Sequence, residues 1–469
     1  MSESGSLVEE RELELENAIQ PQPLSPTTSS RSRLFAAFWI YGLINNVLYV
    51  IILSAALDLV GANVPKATVL LADVMPSFFV KLTAPFCVHR IPYKVRIFIL
   101  VALSLFGMQC VALTTSISAR LFGVVLASAS SGLGELTFLQ LTHFYSPLSM
   151  VAFSSGTGGA GLAGSFLYLV ATTWLRLSVR GTIFASSLLP LLFFFAFFWV
   201  MPLPDPHLAS QSSTFASSAR TPAYSLIQYE ESSMSTSASA PINDDQESLH
   251  SRIDFSKSQS LEQIMESMSR TLSRLGPLFF PYMLPLMLVY IGEYIINQGI
   301  SPTLLFPIEE MPFTYYRDAY VTYGTLYQCK SDSWTNHGNL LTLTDNTVGV
   351  FISRSSSPFV RIRRLYVPAA LQLVNVLILA VQSMYAFIPN VYIIMIIIFY
   401  EGLLGGAAYI NTFLLVSETI AIEDREFAMG AVGVSDSGGI VVAGTICLYL
   451  ETFLCAYQKA NGRPYCGMT

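Results

Sequence analysis

The sequence predicts an all-α polytopic membrane protein with about eleven transmembrane helices. Hydrophobic residues make up 52% of the 469 residues and charged residues only 12%, which is about half the charged fraction of a typical soluble domain. The mean hydropathy is positive, at +0.53. Apolar runs of about 20 residues recur along the chain, and this is the length that a helix needs to cross a hydrocarbon layer of about 30 Å.

Six candidate spans precede a long polar stretch and five follow it. The spans are predicted at 34–57, 66–87, 95–114, 119–143, 150–174, 182–201, 277–300, 318–353, 364–388, 390–417 and 427–452. The first 33 residues are polar and acidic, so we expect no cleavable signal peptide, and the first span acts as a signal-anchor. Residues 202–275 are rich in Ser, Pro and acids without apolar periodicity, which predicts a disordered linker.

The basic residues of the short loops predict the orientation. Basic clusters at 89–96 and 361–364 follow the second and eighth spans, and such clusters favour the cytosolic side. Only Arg176 and Arg180 oppose this assignment, which places the N-terminus and the linker in the cytosol. An odd number of spans then places the C-terminal tail in the lumen.

Two bundles joined by a long cytosolic loop, with basic clusters at equivalent places, indicate a major-facilitator-like fold of two pseudo-symmetric halves. In that fold the substrate binds between the halves near mid-membrane. The predicted organisation is a disordered cytosolic N-terminus, a six-helix bundle, a disordered cytosolic linker, a second helical bundle and a tail, at 1–33, 34–201, 202–275, 276–454 and 455–469.

One polar segment, residues 329–347 (CKSDSWTNHGNLLTLTDNT), interrupts the predicted eighth span. A membrane span rarely tolerates such a stretch. Two interpretations stay open. The segment is either a luminal insertion or a retained intron, since Cys-Lys-Ser can be encoded with the donor-like sequence GTAAGT. Removing it would join LYQ to GVFISRSS and restore a continuous span.

Ionisable residues inside predicted spans are costly, and this makes them candidates for a substrate or proton pathway. The candidates are Asp73, Lys81, Glu135, His143, Glu293 and Glu401, with Asp436 nearer a helix end. Asp73 and Lys81 lie eight residues apart, on roughly one helix face. Lys81 is expected to pair with Asp73 or to meet an anionic substrate. Carboxylates in an apolar interior can exchange protons near neutral pH, as a proton-coupled carrier requires. The alternative for each residue is a buried partner that fixes helix packing.

Glycines cluster in two predicted spans. The segment SSGTGGAGLAG contains Gly156, Gly158, Gly159 and Gly161, and LLGGAAY contains Gly405 and Gly406. The first matches a GxGxxG pattern, but a nucleotide site needs a preceding strand and a βαβ unit. Small residues inside apolar helices instead predict close helix packing and a flexible gate.

The sequence gives no support for an enzyme. It contains no G-x-x-x-x-G-K-[ST], no Ser/His/Asp pattern and no HExxH, so neither catalysis nor a cofactor is expected. The six cysteines have no CxxC or Cys/His spacing, so no metal site is expected. There is no basic stretch suited to nucleic acid. Tyr224-Ser-Leu-Ile227 in the linker fits a tyrosine-based endolysosomal sorting signal, which predicts sorting adaptors as partners and assigns the signal to Tyr224 and Ile227.

Several blocks of sequence carry a family resemblance: FWIYGLINNVLYVIILSAALD (38–58), VLLADVMPSFFVKLTAPF (69–86), SSGLGELTFL (130–139), VYIGEYIINQG (289–299), GVFISRSS (349–356), YEGLLGGAAYINTF (400–413) and EDREFAMG (423–430). With these blocks the chain resembles the battenin family of lysosomal and vacuolar membrane proteins. The blocks run through the spans in family order. The 329–347 segment and the 202–275 linker depart from the family pattern.

The resemblance implies a major-facilitator-like carrier in a lysosomal or vacuolar membrane. It also implies a part in compartment pH and in basic amino-acid balance, including arginine, and, for the animal protein, export of glycerophosphodiesters. An anionic phosphodiester would favour a site at Lys81 and His143, whereas a cationic amino acid would favour Glu135, Glu293 or Glu401.

Two functions therefore compete. The first is a proton-linked carrier whose partners are the lipid bilayer, protons and a small polar metabolite. The second is a non-transporting regulator or scaffold of vacuolar pumps and trafficking. The paired halves and the intramembrane charges favour the carrier.

Overall fold

A computed structural model describes residues 28–54, 66–88, 91–203, 269, 272–304 and 345–462. Within these ranges every element of regular structure is helical. The helices are α1 (Thr28–Ser54), α2 (Lys66–Cys87), α3 (Tyr93–Leu113), α4 (Ile117–Leu141), α5 (Leu148–Leu169), α6 (Val179–Val200), α7 (Leu272–Ile300), α8 (Asp345–Ser355), α9 (Tyr366–Tyr385), α10 (Val391–Thr419), α11 (Ile422–Val432) and α12 (Val434–Ala460).

Eight of the eleven predicted spans coincide with helical segments that are long and apolar enough to cross a membrane. The all-α membrane fold is therefore confirmed. The second and fifth predicted spans form α2 and α5, each of 22 residues, and such a helix is about 33 Å long. Of the predicted eighth span, the structure describes only the eleven residues of α8.

The last predicted span, 427–452, differs most from the structure. The apolar helical segment covers Ile422–Ala460, 39 residues, and it divides at Gly433 into α11 and α12. The turn at Gly433 begins a new helix, and Asp436 lies in the first turn of α12. A carboxylate there interacts favourably with the positive end of the helix dipole. The break thus provides a place for a charged residue inside the bundle.

The helices pack as a repeated pattern. In the first half α1 packs on α5 and α2 packs on α4. In the second half α7 packs on α12 and α8 packs on α10. Thus the first span of each half contacts the fifth, and the second contacts the fourth. The interface between the halves repeats the pattern too, because α2 packs on α12 and α8 packs on α5.

Large apolar side chains cover the outside of the bundle. Phe98, Phe106, Trp199, Leu377 and Tyr449 are each more than 60% exposed. A soluble protein rarely exposes so many large apolar side chains together, whereas lipid is a suitable solvent for them.

Glycines set the contact between α1 and α5. A Cβ atom at Gly156 would overlap the backbone at Trp39 and Leu43, and one at Gly42 would overlap the backbone at Phe153. Only glycine allows two backbones to approach this closely. Gly161 is half-buried one turn further along α5.

Other glycines lie beside α8 or beside a site candidate. Gly158 and Gly159 of α5 face Phe351 of α8, which places them at the interface between the halves. A Cβ atom at Gly406 would overlap Ser353 of α8, and one at Gly405 would overlap the carboxylate of Glu293. The gating role predicted for these glycines stays a prediction.

Several sequence-based predictions fall outside the described residues. Residues 1–27, 204–268 and 463–469 do so, and with them most of the predicted linker and the sorting residues Tyr224 and Ile227. The described part of the chain includes only the last three residues of segment 329–347, which form the first turn of α8.

Candidate functional site: a charged cavity between the two halves

A cavity of about 100 Å³ lies between the two halves. Both halves contribute to its wall, with residues from α1, α2, α4 and α5 on one side and from α7, α8, α10 and α12 on the other. All but two lining residues, Val74 and Ile440, carry a polar side-chain atom. The polar lining residues are Asn46, Tyr49, Asp73, Ser77, Lys81, Ser128, Ser131, Glu135, Thr157, Tyr290, Tyr294, Arg354, Tyr409, Asp436 and Ser437.

Five of these residues are ionisable as acids or strong bases, which gives three carboxylates and two cations. Ligand pockets are usually lined mostly by apolar side chains. Charged side chains are rare inside a membrane bundle, so this cavity is the candidate functional site.

Lys81 is the centre of a buried ion-pair cluster. Its Nζ lies 2.6 Å from Glu135 Oε2 and 3.1 Å from Asp436 Oδ1. Nζ also donates to Ser437 Oγ at 2.8 Å. An ammonium has three donors, so each has a partner here. Glu135 lies in the same half as Lys81, whereas Asp436 and Ser437 lie in the other half, so this cluster joins the halves.

Helix geometry places these groups. Asp73, Ser77 and Lys81 are spaced four residues apart on α2, so all three point into the cavity from one face. The second carboxylate oxygen of Glu135 accepts a hydrogen bond from Tyr409 OH at 2.9 Å. Tyr409 belongs to α10, so Glu135 contacts the second half as well.

Arg354, at the end of α8, forms a second polar cluster. Its Nη2 donates to Tyr290 OH at 2.9 Å and its Nη1 donates to Thr157 Oγ1 at 2.5 Å. The guanidinium carbon lies 4.2 Å from the centre of the Tyr409 ring, within cation–π range. Thr157 belongs to α5, so this cluster also joins the halves, with Ser155 and Ser355 in hydrogen-bond contact at 2.9 Å beside it.

Asp73 is the third carboxylate of the cavity. It is 3% exposed, and its Oδ2 is buried without a hydrogen-bond partner among the described residues. The expected pair between Asp73 and Lys81 is not formed, because the Lys81 ammonium is held by Glu135 and Asp436. Asp73 also borders a smaller cavity of about 20 Å³ inside the first half, lined in part by Ser104 and Ser130.

The other predicted pathway residues lie away from the cavity wall. Glu293 of α7 lies against Gly405 and close enough to Arg354 for an electrostatic interaction. Glu401 is fully buried in the second half, where Asn297 and Gln372 donate to its Oε1 at 3.4 and 3.3 Å.

His143 lies beyond the end of α4, where its ring packs against Phe144. It is buried, but it does not line the cavity. The structure therefore unites Asp73, Lys81, Glu135 and Asp436 at the cavity, and Glu293, Glu401 and His143 do not line it.

Arg354 is the charged lining residue of the cavity that the sequence-based candidates omit. It lies within GVFISRSS, one residue beyond the end of the predicted eighth span, so a search for charges inside spans does not include it. A usable signal exists. Arg354 precedes the basic cluster at 361–364 much as Lys81 precedes the cluster at 89–96. Comparison of the two halves could have identified it.

Comparison with known proteins decides the family. The model of the CLN3 protein family matches residues 36–332 and 341–457. The chain belongs to the CLN3, or battenin, family. It is 49% identical to Protein BTN1 of Yarrowia lipolytica over 92% of this chain and 97% of that one. It is 48% identical to Protein btn-1 of Neurospora crassa over 92% of this chain and 90% of that one. The resemblance to the battenin family is thereby confirmed.

Residues 333–340 lie between the two matched stretches. They fall inside the segment 329–347, whose remaining residues lie within the matched stretches. A retained intron there stays a prediction. Transcript reads that cross the segment intact in mature message would contradict it.

Solved structures with a similar fold are major-facilitator transporters. The proton:xylose symporter XylE has a TM-score of 0.51 at 10% identity and covers 94% of this chain and 91% of its own. The human organic anion transporter MFSD10 has a TM-score of 0.52 at 12% identity, with 93% and 97% covered. Together with the family match, this fold makes the CLN3-family chain a membrane transporter-like protein.

Proposed function

We propose that this CLN3-family chain is a proton-linked carrier of small polar metabolites in the vacuolar or lysosomal membrane. The observation that supports it best is the buried pair between Lys81 of the first half and Asp436 of the second, at the wall of a charged cavity between them. A static scaffold does not need charges at this place, where an ion pair is expensive to bury.

The cavity suits a carrier whose halves move. Its volume of about 100 Å³ is smaller than the roughly 300 Å³ from which ligand pockets usually begin. A metabolite therefore requires the halves to separate. Separation breaks the contact between Lys81 and Asp436, and a proton on Asp436 weakens the attraction that opposes separation. Proton binding and opening are coupled in this way.

The proposed substrates are a basic amino acid such as arginine and a glycerophosphodiester, and movement of either with protons contributes to vacuolar pH homeostasis. The cavity carries charges of both signs, so both classes find a complementary group.

Transport by purified protein in lipid vesicles tests the proposal. We expect labelled arginine or glycerophosphocholine to accumulate in the vesicles when a pH gradient is imposed. This accumulation should stop when an ionophore collapses the gradient. Lys81→Gln and Asp436→Asn should each lower the rate at least tenfold, whereas Arg361→Gln, at an exposed site, should not. If the vesicles transport neither solute, the carrier proposal is wrong.

A second measurement separates the carrier from a non-transporting regulator. Deletion of residues 210–265 should leave vesicle transport unchanged, because the transport path lies in the two helical halves. The regulator hypothesis is favoured by two results together. Cells with the deletion would show the same phenotype as cells that lack the protein, and the purified protein would transport no solute in vesicles.

We also propose a vacuolar or lysosomal location with a cytosolic N-terminus. A protease-sensitive tag before residue 28 should be cleaved from the cytosolic side of intact vacuoles. Tyr224→Ala with Ile227→Ala should divert the protein to another membrane if the sorting signal acts. Protection of the tag would overturn the orientation.

A further inference from the structure

The two cations of the cavity differ in their partners. Lys81 is surrounded by two carboxylates and a hydroxyl. Among the described residues, Arg354 makes hydrogen bonds and a ring contact with neutral groups only, namely the hydroxyls of Thr157 and Tyr290 and the ring of Tyr409. Among the described residues no carboxylate forms an ion pair with Arg354, and its Nε is buried without a hydrogen-bond partner.

A guanidinium that borders a cavity without a paired anion is ready to bind one. It is costly to bury a cation with neutral partners alone, and the cost falls when an anion enters. The planar guanidinium matches the two oxygens of a phosphate or a carboxylate, which a lysine ammonium cannot do as well. Hydrogen bonds from both Nη atoms and the ring of Tyr409 hold the guanidinium in one orientation.

We propose that Arg354 binds the anionic group of the transported solute, an inference that rests on the carrier proposed above. The anionic group is the phosphate of a glycerophosphodiester or the carboxylate of an amino acid. Tyr290 and Thr157 are positioning residues, because they act through Arg354. Lys81 does not take this role in the conformation described, since each of its three donors already has a partner.

Two carboxylates, Glu293 and Glu135, interact with Arg354 electrostatically. Among the described residues neither forms an ion pair with Arg354. Glu135 is paired with Lys81 instead, and Glu293 does not line the cavity.

Matched ligands test the assignment on the purified full-length protein. Arginine is compared with agmatine, which has the same guanidinium but no carboxylate. Glycerophosphocholine is compared with choline, which lacks the phosphate. We expect the wild type to bind the anionic member of at least one pair about 10- to 100-fold more tightly, as for a hydrogen-bonded charged group. The pair that shows the preference identifies the source of the anion.

The variants separate binding from folding. In Arg354→Gln the ratio of affinities between the anionic ligand and its matched partner should fall to about 1. The affinity for agmatine or choline should stay nearly unchanged. Arg354→Lys should retain part of the preference for the anionic ligand. Tyr290→Phe should reduce it less than Arg354→Gln. A purely structural residue would weaken both members of a pair equally. Arg361→Gln, which removes an exposed guanidinium, should keep the wild-type preference.

Two results would overturn the assignment. One is a wild type that binds both members of each pair alike or not at all. The other is a preference that survives in Arg354→Gln and disappears in Lys81→Gln. A protein that keeps the preference in binding but fails to transport in vesicles would instead refute the carrier and leave the anion site standing.

Discussion

The second span of each half carries one cation that reaches across the interface. Lys81 of α2 contacts Asp436 of α12 in the other half, and Arg354 of α8 contacts Thr157 of α5 in the other half. The two helices also occupy corresponding places in the packing, because each contacts the fifth span of the opposite half. Both clusters therefore lie across the seam that must open in a carrier.

The two clusters differ in charge. The Lys81 cluster contains two carboxylates and one cation, whereas the Arg354 cluster contains one cation with neutral partners. The two halves carry cations at corresponding places, but the partners of these cations differ. We infer that the Lys81 cluster closes the cavity by internal pairing, and that the Arg354 cluster leaves a charge for the solute.

The largest effect on stability is expected from Lys81→Met. The substitution keeps most of the length of the unbranched side chain but leaves Glu135 and Asp436 without their cation. Removal of one partner from a buried ion pair typically costs about 3–5 kcal/mol. Thermal unfolding of the purified protein in one detergent measures it as a lower Tm.

A compensating variant tests the cause of that loss. When Glu135→Gln and Asp436→Asn are added to Lys81→Met, no uncompensated charge stays in the cluster, so part of the lost Tm should return. A triple variant less stable than Lys81→Met alone would show that the carboxylates stabilise the fold independently of Lys81.

Asp436 and Glu135 should differ in how strongly they keep the two halves closed. Asp436→Asn weakens the contact between the halves, whereas Glu135→Gln weakens a contact within the first half and keeps Lys81 paired with Asp436. Asp436→Asn should therefore favour opening more strongly. We expect maleimide to label a cysteine at position 77 roughly tenfold faster in Asp436→Asn, which corresponds to about 1.4 kcal/mol.

The measurement uses a chain whose six native cysteines are replaced, and Ser77→Cys in that background is the reference. Equal labelling rates in Asp436→Asn and Glu135→Gln would contradict the distinction, because Glu135 also accepts from Tyr409 of the second half. That outcome would show that both carboxylates hold the halves together.

The positions of most helices could be predicted because a membrane span needs a long apolar run whatever it packs against. The prediction is less accurate where the chain departs from that rule. The turn at Gly433 lies inside a continuous apolar stretch, so hydropathy gives no sign of it. Asp436 marks the break, since a carboxylate in the first turn is typical of a helix start.

The site could be predicted only in part. Asp73, Lys81 and Glu135 line the cavity, and Glu401 and His143, chosen by the same rule, do not. A charged residue in an apolar run needs polar neighbours, but these need not belong to a cavity. Gln372 and Asn297 donate hydrogen bonds to Glu401 and meet this need within the helix packing. The contact of Lys81 with Asp436 joins residues 355 positions apart, and it depends on how the two halves dock.

A moderate loss of stability is expected in Gly156→Ala, which adds a methyl group between α1 and α5. In Gly156→Ala the new Cβ atom overlaps the backbone at Trp39, and backbone cannot move aside as a flexible side chain can. Overpacking of this kind costs about 1–3 kcal/mol, which a lower Tm would reveal. Gly276→Ala in α7 is the control, because a Cβ atom there has no neighbour within 4 Å. An unchanged Tm in Gly156→Ala would show that the two helices can separate slightly without loss.

The smallest effect is expected at the exposed ion pair between Arg361 Nη2 and Glu418 Oε1. Its distance of 2.9 Å resembles that of Lys81 and Glu135, but its two side chains are 45% and 46% exposed. Water and salt screen such a pair, so Arg361→Gln should change stability by about 1 kcal/mol or less. Unfolding of Arg361→Gln and Lys81→Met at low and high salt compares the two pairs directly. A loss at Arg361 equal to that at Lys81 would show that burial does not decide the strength of these pairs.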